Sequence, residues 1–357
     1  MEQVKRNKID YSNQFIYIGI DVHKKQWKVS IYTEHNDYKT FTHEPVPALF
    51  VKKLQRDYPG GRYKAVYEAG FCGYWISKEL NNYGVECMIV NPSDVPVKDK
   101  ERRTKTDTVD SKKLAKSLRS GELEGIYIPD AEAISLRSLV RLRTGFVRKQ
   151  TRCKNQIKSF LNYLGIELSE DKVQSYWSRA YIERLKNLEQ PEEKNKIVLS
   201  SYLIELQNLR DMILNTTRAI RTASRESRYA ENVRVLRSVP GIGELSSMIL
   251  LSEIVDIHRF KDKDKLSNFI GIAPNEHSSG ERRNVMGLTG RSNLYLRNML
   301  IESAWVSIRK DPALAESFKE YIKRMPRNKA IIKICRKLIN RIYYVLKTQK
   351  EYETGVA

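Results

Sequence analysis

Residues 15–21 read Phe15-Ile16-Tyr17-Ile18-Gly19-Ile20-Asp21, a short apolar, β-rich run that ends on an acid. Trp27-Lys28-Val29-Ser30-Ile31-Tyr32 follows at hairpin distance and alternates as a neighbouring strand should. Residues 37–42 supply a third strand. Beyond Pro47 the pattern turns helical, and Tyr63-Lys64-Ala65-Val66-Tyr67-Glu68 is again strand-like. A helix over about 75–83 then leads to Val85-Glu86-Cys87-Met88-Ile89-Val90, a strand of the buried kind. Three strands followed by alternating helix and strand predict a mixed sheet of the ribonuclease H type.

The remainder reads as helical. Asn91-Pro92 ends the strand region, and a loop carrying Lys98, Lys100, Arg102, Arg103 and Lys105 leads into a helix over about 106–119. Apolar residues recur at helical spacing over about 131–164 and 171–224, where Leu185, Leu188, Ile197, Leu203, Leu206, Leu209 and Ile213 read as the seam of an elongated helical hairpin. Such a seam buries little alone, so it calls for a partner helix or a second protomer. Farther on, Val239-Pro240-Gly241-Ile242-Gly243 lies between two helical patterns, and residues 274–293 read as a loop. Helices over about 294–309 and 329–347 close the chain. The fold class expected is α/β plus α, with domains at 14–165, 166–228 and 229–357.

At 357 residues the chain is too long for one ordinary core. Its 64 Lys and Arg against 43 Asp and Glu give a net charge of +21, spread along the whole length, which points to a polyanionic partner. Cys72, Cys87, Cys153 and Cys335 have no metal-binding spacing, which argues against a zinc site and a disulfide framework and suits reduced thiols in the cytoplasm. No apolar stretch approaches the roughly 20 residues that span a bilayer, so no membrane partner is expected.

Against this basic background four acids occupy special places: Asp21 and Glu68 end two strands, and Asp107 and Asp110 open a helix on one face. Two carboxylates about 5 Å apart repel by roughly 3 kcal/mol at an effective dielectric of about 20, a penalty that a divalent cation removes. Oxygen ligands without a nearby His or Cys pair select Mg2+, or Mn2+. Singly, each acid reads first as an ordinary first-turn helix residue or strand end. Together they read as a metal site facing nucleic acid phosphate.

Ile18-Gly19-Ile20-Asp21-Val22-His23-Lys24, Tyr67-Glu68-Ala69-Gly70, Asn91-Pro92 and Lys105-Thr106-Asp107-Thr108-Val109-Asp110 resemble the insertion-sequence one-hundred-and-ten family of DEDD transposases and the related DNA invertases of the Piv type. The likeness extends to Val239-Pro240-Gly241-Ile242-Gly243, Gly271-Ile272-Ala273-Pro274 and Ser279-Gly280. It implies a RuvC-like domain whose catalytic Asp, Glu, Asp and Asp fall on Asp21, Glu68, Asp107 and Asp110, and a mainly helical transposase domain whose serine nucleophile falls on Ser279. It also implies DNA as substrate, a non-coding bridge RNA as guide, and a homo-oligomer, a dimer assembling to a tetramer on DNA.

A serine hydroxyl reacts at neutral pH only with a metal, a base or strong polarisation of the phosphate. Arg282 and Arg283 are placed to hold phosphate oxygens, and Lys105 to meet the backbone. Ser278 competes with Ser279, although the glycine after Ser279 permits close approach to phosphate. Ser292 reads as the N-cap of the next helix. His277 reads as an exposed loop residue. Pro240-Gly241-Ile242-Gly243 resembles a helix-hairpin-helix turn, in which Gly241 and Gly243 would offer amides to phosphate, and equally a plain turn between helices. Tyr74, Trp75, Tyr163 and Trp177 read as core aromatics before base-stacking ones. A strand-transferring recombinase is the first reading. The alternatives are a metal-dependent junction nuclease that hydrolyses DNA and a non-catalytic nucleic-acid scaffold.

Overall fold

The computed structural model describes residues 10–35, 37–96, 107–166, 177–189, 192–272, 274–279, 282–288 and 292–354, with the side chains of residues 107–108, 274–279 and 282–288 outside that description. The chain divides into two compact units, Met1–Ile128 and Pro129–Ala357. Among the described residues no helix is long and apolar enough to cross a membrane.

The first unit is built on a five-stranded mixed sheet. Strands β1 (Phe15–Val22), β2 (Trp27–Tyr32) and β3 (Tyr38–His43) form an antiparallel meander. Helix α1 (Pro47–Asp57) carries the chain back to β4 (Arg62–Glu68), which pairs parallel to β1. Helix α2 (Trp75–Asn82) then leads to β5 (Glu86–Val90), parallel to β4. The order β3-β2-β1-β4-β5 places β1 in the centre, as the sequence order of elements predicts.

Alternation decides the layers. Ile16, Ile18 and Ile20 of β1, with Ala65, Tyr67, Cys87 and Ile89, pack against Phe50, Val51 and Leu54 of α1 and Ile76 and Leu80 of α2. The opposite face buries Val66 and Val90 against Leu114 of α3 (Asp107–Arg119). A Cβ on Gly19 would lie 2.1 Å from the Ser111 carbonyl oxygen and 2.4 Å from the Ala115 nitrogen, so this residue lets α3 lie directly on the central strand. A buried hydroxyl chain fixes the helix there: Ser30 Oγ is 2.9 Å from Ser111 Oγ and 2.8 Å from Thr40 Oγ1.

Among its described residues the second unit is helical except for one hairpin. Asp130 caps α4 (Ala131–Tyr163), accepting from the Ala133 amide at 2.8 Å and from Arg228 at 2.6 Å. Helix α4 packs along α6 (Glu193–Ala223), with α5 (Arg179–Lys186) beside them, around Cys153, Ile157, Leu161, Leu185, Leu199, Leu203, Leu206 and Leu209. Helices α7 (Ser227–Ser238), α8 (Glu244–Ile254), α9 (Lys263–Ile270), α10 (Leu294–Lys310), α11 (Pro312–Ile322) and α12 (Arg327–Thr348) surround a larger core. All four cysteines are buried. Desolvation pushes the Cys87 and Cys335 thiols up to about 12, so neither supplies a thiolate near neutrality.

Several expectations are corrected. Residues 274–293, read as a loop, contain two antiparallel strands, β6 (Pro274–Ser279) and β7 (Arg282–Leu288). Among the described residues, the helical pattern expected over about 171–224 falls into two helices, α5 and α6. Ile197, assigned to the seam, is 57% exposed, because Leu199 and Leu203 take the inward positions of α6. Helices α9 and α11 were not anticipated; both are short, of 8 and 11 residues.

The contact at Gly19 sets a test. Gly19→Val should cost about 1–3 kcal/mol of stability by overpacking. Urea unfolding of the purified chain measures it, and unchanged stability would mean that α3 does not rest on β1.

Candidate active site

The first unit gathers its acids at one end of the sheet. Ile20 and Tyr67 are register partners in the parallel pair of β1 and β4, so Asp21 and Glu68 are the next residue on each strand. Parallel pairing therefore brings two carboxylates to the carboxyl ends of adjacent central strands, where open α/β sheets place their ligands. Asp21 is partly open, with a 22% exposed side chain, and Glu68 is half-buried. Asp21 Oδ2 lies 3.1 Å from His23 Nε2, an interaction the sequence reading missed because it comes from the turn into β2.

Helix α3 starts toward the same end and runs away from it. Its last residue, Arg119, donates to the Glu34 carbonyl at 3.1 Å, and the Glu34 carboxylate accepts from the Phe15 amide at 2.9 Å. The C-terminus of α3 is thus tied to the start of β1, while Ser111 lies over Gly19, two residues before Asp21. Helix and strand are antiparallel. The first turn of α3, with Asp107 and Asp110, consequently heads toward the Asp21 end of the strand.

Asp110 is half-buried; the side chain of Asp107 and all of Lys105 lie outside the described residues. Among the described residues no three His, Cys, Asp or Glu side chains form a metal-ligand cluster. The donors at the sheet end are carboxylate oxygens, which suit a hard divalent cation rather than a soft one.

In the second unit the hairpin carries the serine block. Ser279 and Arg282 are register partners, as are Ser278 and Arg283, and His277 pairs with Asn284. The two ends of the segment are drawn together. A Cβ on Gly271, whose φ is +84°, would lie 2.0 Å from the Ser292 Cβ, and the Asn293 amide donates to the Phe269 carbonyl at 3.3 Å.

The cap of α10 is Asn293, not Ser292: its Oδ1 accepts from the Tyr295 and Leu296 amides at 3.1 and 3.2 Å. Its Nδ2 donates to Glu253 Oε2 at 2.8 Å. Glu253 is only 2% exposed and takes a two-pronged pair from Arg141, at 2.7 and 2.9 Å, with Arg137 at 3.7 Å. A buried carboxylate thus fastens α4, α8 and the root of the serine hairpin. The signal was available in sequence: Glu253 is a lone acid in the apolar run Met248-Ile249-Leu250-Leu251-Ser252-Glu253-Ile254.

The glycines between α7 and α8 differ from each other. Gly241 has φ +89°, and its missing Cβ would strike Ser307 Oγ at 2.3 Å, so it packs the turn against α10. Ser307 Oγ donates to the Pro240 carbonyl at 2.6 Å. Gly243 is exposed, and its amide donates to Ser246 Oγ at 2.9 Å. Beside it the Glu244 carboxylate accepts from Ser224 Oγ at 2.8 Å, placing negative charge at this helix start.

Two family descriptions match the chain in this order: "DEDD_Tnp_IS110: Transposase" over residues 18–165, and "Transposase IS116/IS110/IS902 family" over residues 233–319. The chain belongs to the IS110 family of transposases. Its curated relatives agree. The Sinorhizobium fredii protein y4qE, which carries a transposase name, is 28% identical over 242 residues, 67% of this chain and 57% of that one. The match therefore spans a little over half of y4qE. The "Transposase for insertion sequence element IS1111A" of Coxiella burnetii is 24% identical over 295 residues, 80% of this chain and 78% of the relative. The "Pilin gene-inverting protein" of Moraxella bovis is 28% identical over 130 residues, 34% of this chain and 39% of that protein. The chain is an insertion-sequence transposase, a class of enzyme that cuts and rejoins DNA.

Glu253→Ala should destabilise this transposase by about 3 kcal/mol, because Arg137 and Arg141 lose a buried counter-charge. Urea unfolding reads the loss. An unaltered midpoint would mean that the carboxylate does not hold the second unit together.

Proposed function

We propose that this transposase exchanges DNA strands through a serine-linked intermediate formed at a metal-dependent carboxylate site. Asp21, Glu68, Asp107 and Asp110 would hold Mg2+, or Mn2+, in a RuvC-like domain, and the bound ion would polarise the scissile phosphate. The observation that carries the reading is that β1 and β4 end on acids at one end of the sheet, toward which the first turn of α3 heads. Without a cation such a group of carboxylates repels both itself and the phosphate.

Ser279 is the proposed nucleophile. Its Oγ attacks phosphorus, a P–Oγ ester forms, and the bond from phosphorus to one deoxyribose oxygen breaks. That oxygen takes up a proton and the serine proton leaves to solvent. One phosphodiester replaces another, so the step is reversible, and a second DNA hydroxyl can reclaim the phosphate. Arg282 and Arg283, opposite the two serines in register, would hold phosphate oxygens. Lys105 is proposed to meet the DNA backbone; the Gly243 amide is taken by Ser246 Oγ beside the Glu244 carboxylate, and Gly241 serves the packing of its turn.

The functional divisions proposed are 14–165 for the carboxylate chemistry, 166–228 for a dimerisation arm and 229–357 for the serine domain. The two chemistries would meet on one phosphate within a homo-oligomer, a dimer assembling to a tetramer on DNA. Exposed Ile197, Ile204 and Met212 on α6 suit self-association of the arm. The dispersed charge of +21 suits a guide RNA as well as DNA, and a bridge RNA from the element is the proposed guide.

A denaturing gel of labelled DNA incubated with the transposase and its copurified RNA tests the chemistry. Asp21→Asn, Glu68→Gln and Asp110→Asn should each lower strand cleavage at least about a hundredfold while DNA affinity holds. Ser279→Ala should abolish the protein–DNA adduct, and Ser278→Ala should retain it. Cleavage that continues without any adduct would establish hydrolysis instead.

A further inference from the structure

The turn that leaves β4 behind Glu68 presents two large aromatic rings to solvent. Phe71 is 64% exposed and Trp75 is 49% exposed, while Cys72 and Ile76 between and after them are buried. Tyr74 packs onto the core. The rings are not on a loose loop. The Tyr67 hydroxyl, itself buried, donates to the Gly73 carbonyl at 3.0 Å and accepts from the Ser77 amide at 3.3 Å. The Gly73 amide closes the turn on the Gly70 carbonyl at 3.2 Å. An aromatic surface held in this way loses little freedom when something stacks on it.

Its surroundings identify what would stack. Lys24 Nζ lies 6.0 Å from the Phe71 ring centroid, and Lys24 stands in the turn that follows Asp21 and His23. The turn after β1 and the turn after β4 therefore meet at the same sheet end as the strand-end carboxylates. An exposed ring beside an ammonium, on a chain of charge +21, complements a nucleotide, with a π-face for the ring and a phosphate for the lysine.

We propose that Phe71 and Trp75 form a stacking platform for an unpaired nucleobase next to the phosphate addressed by Asp21 and Glu68. Lys24 accompanies the platform by meeting the backbone of the same nucleotide. The proposal rests on the carboxylate reading of that sheet end and adds a substrate requirement to it: the strand must be unstacked where it is cut, so that one base leaves the helical stack and settles on the rings. Because every base has a π-face, the platform tolerates any sequence there.

The test is fluorescence anisotropy of the full-length protein with a labelled single-stranded DNA and with an abasic strand of equal length. The wild type should bind the base-bearing strand about tenfold more tightly than the abasic one. Phe71→Ala and Trp75→Ala should each remove most of that advantage while leaving abasic affinity and its salt dependence unchanged. Phe71→Tyr should restore the advantage and Phe71→Leu should not. Matching melting temperatures for the four variants guard against misfolding.

A wild type without base preference, alanine variants that keep it, or a leucine as good as tyrosine would each overturn the platform. Asp21→Asn separates this from the chemistry. It should abolish cleavage and keep the base preference, so normal cleavage by Asp21→Asn would refute the carboxylate reading without touching the stacking measurement.

Discussion

Helix α3 lies on β1 because residue 19 has no side chain. With the Ser111 carbonyl 2.1 Å from where a Cβ would sit, any larger residue pushes the helix off the central strand. The Ser111–Ser30–Thr40 hydrogen bonds then fix where along the strand it lies, and the Arg119 and Glu34 contacts fix its direction. Through that one close contact, residues more than 80 positions apart in sequence are aimed at one end of the sheet. The parallel pairing of β1 with β4 adds Glu68 by register alone.

Much of this was legible in the sequence. Strong apolar runs ending in Asp21 and Glu68 marked the central strands, and their order marked the mixed sheet, since periodicity and chain order are local signals. Less legible were features set by tertiary contact. His23 reaches Asp21 across a turn, Asn293 displaces Ser292 as the cap because Glu253 draws its side chain, and Gly241 is spent on packing against α10. The serine segment hid its strands because Ser, Asn, Arg and Gly dominate it. Such residues carry little strand propensity, so composition alone does not announce a hairpin.

The two units use charge in opposite ways. At the sheet end, carboxylates stay partly open to water, where a cation and a phosphate can reach them. In the second unit the Glu253 carboxylate is sealed among guanidinium groups and an amide, where its whole capacity is consumed by the protein. The first arrangement suits chemistry and the second suits anchorage. Both depend on acids set against a strongly basic chain.

The most direct measurement is anomalous diffraction from crystals of the transposase soaked in Mn2+. The account predicts an anomalous peak about 2.1 Å from carboxylate oxygens of Asp21, Glu68 and the acids in the first turn of α3. A peak bound elsewhere, or a saturating soak that leaves these carboxylates without an ion, would contradict it.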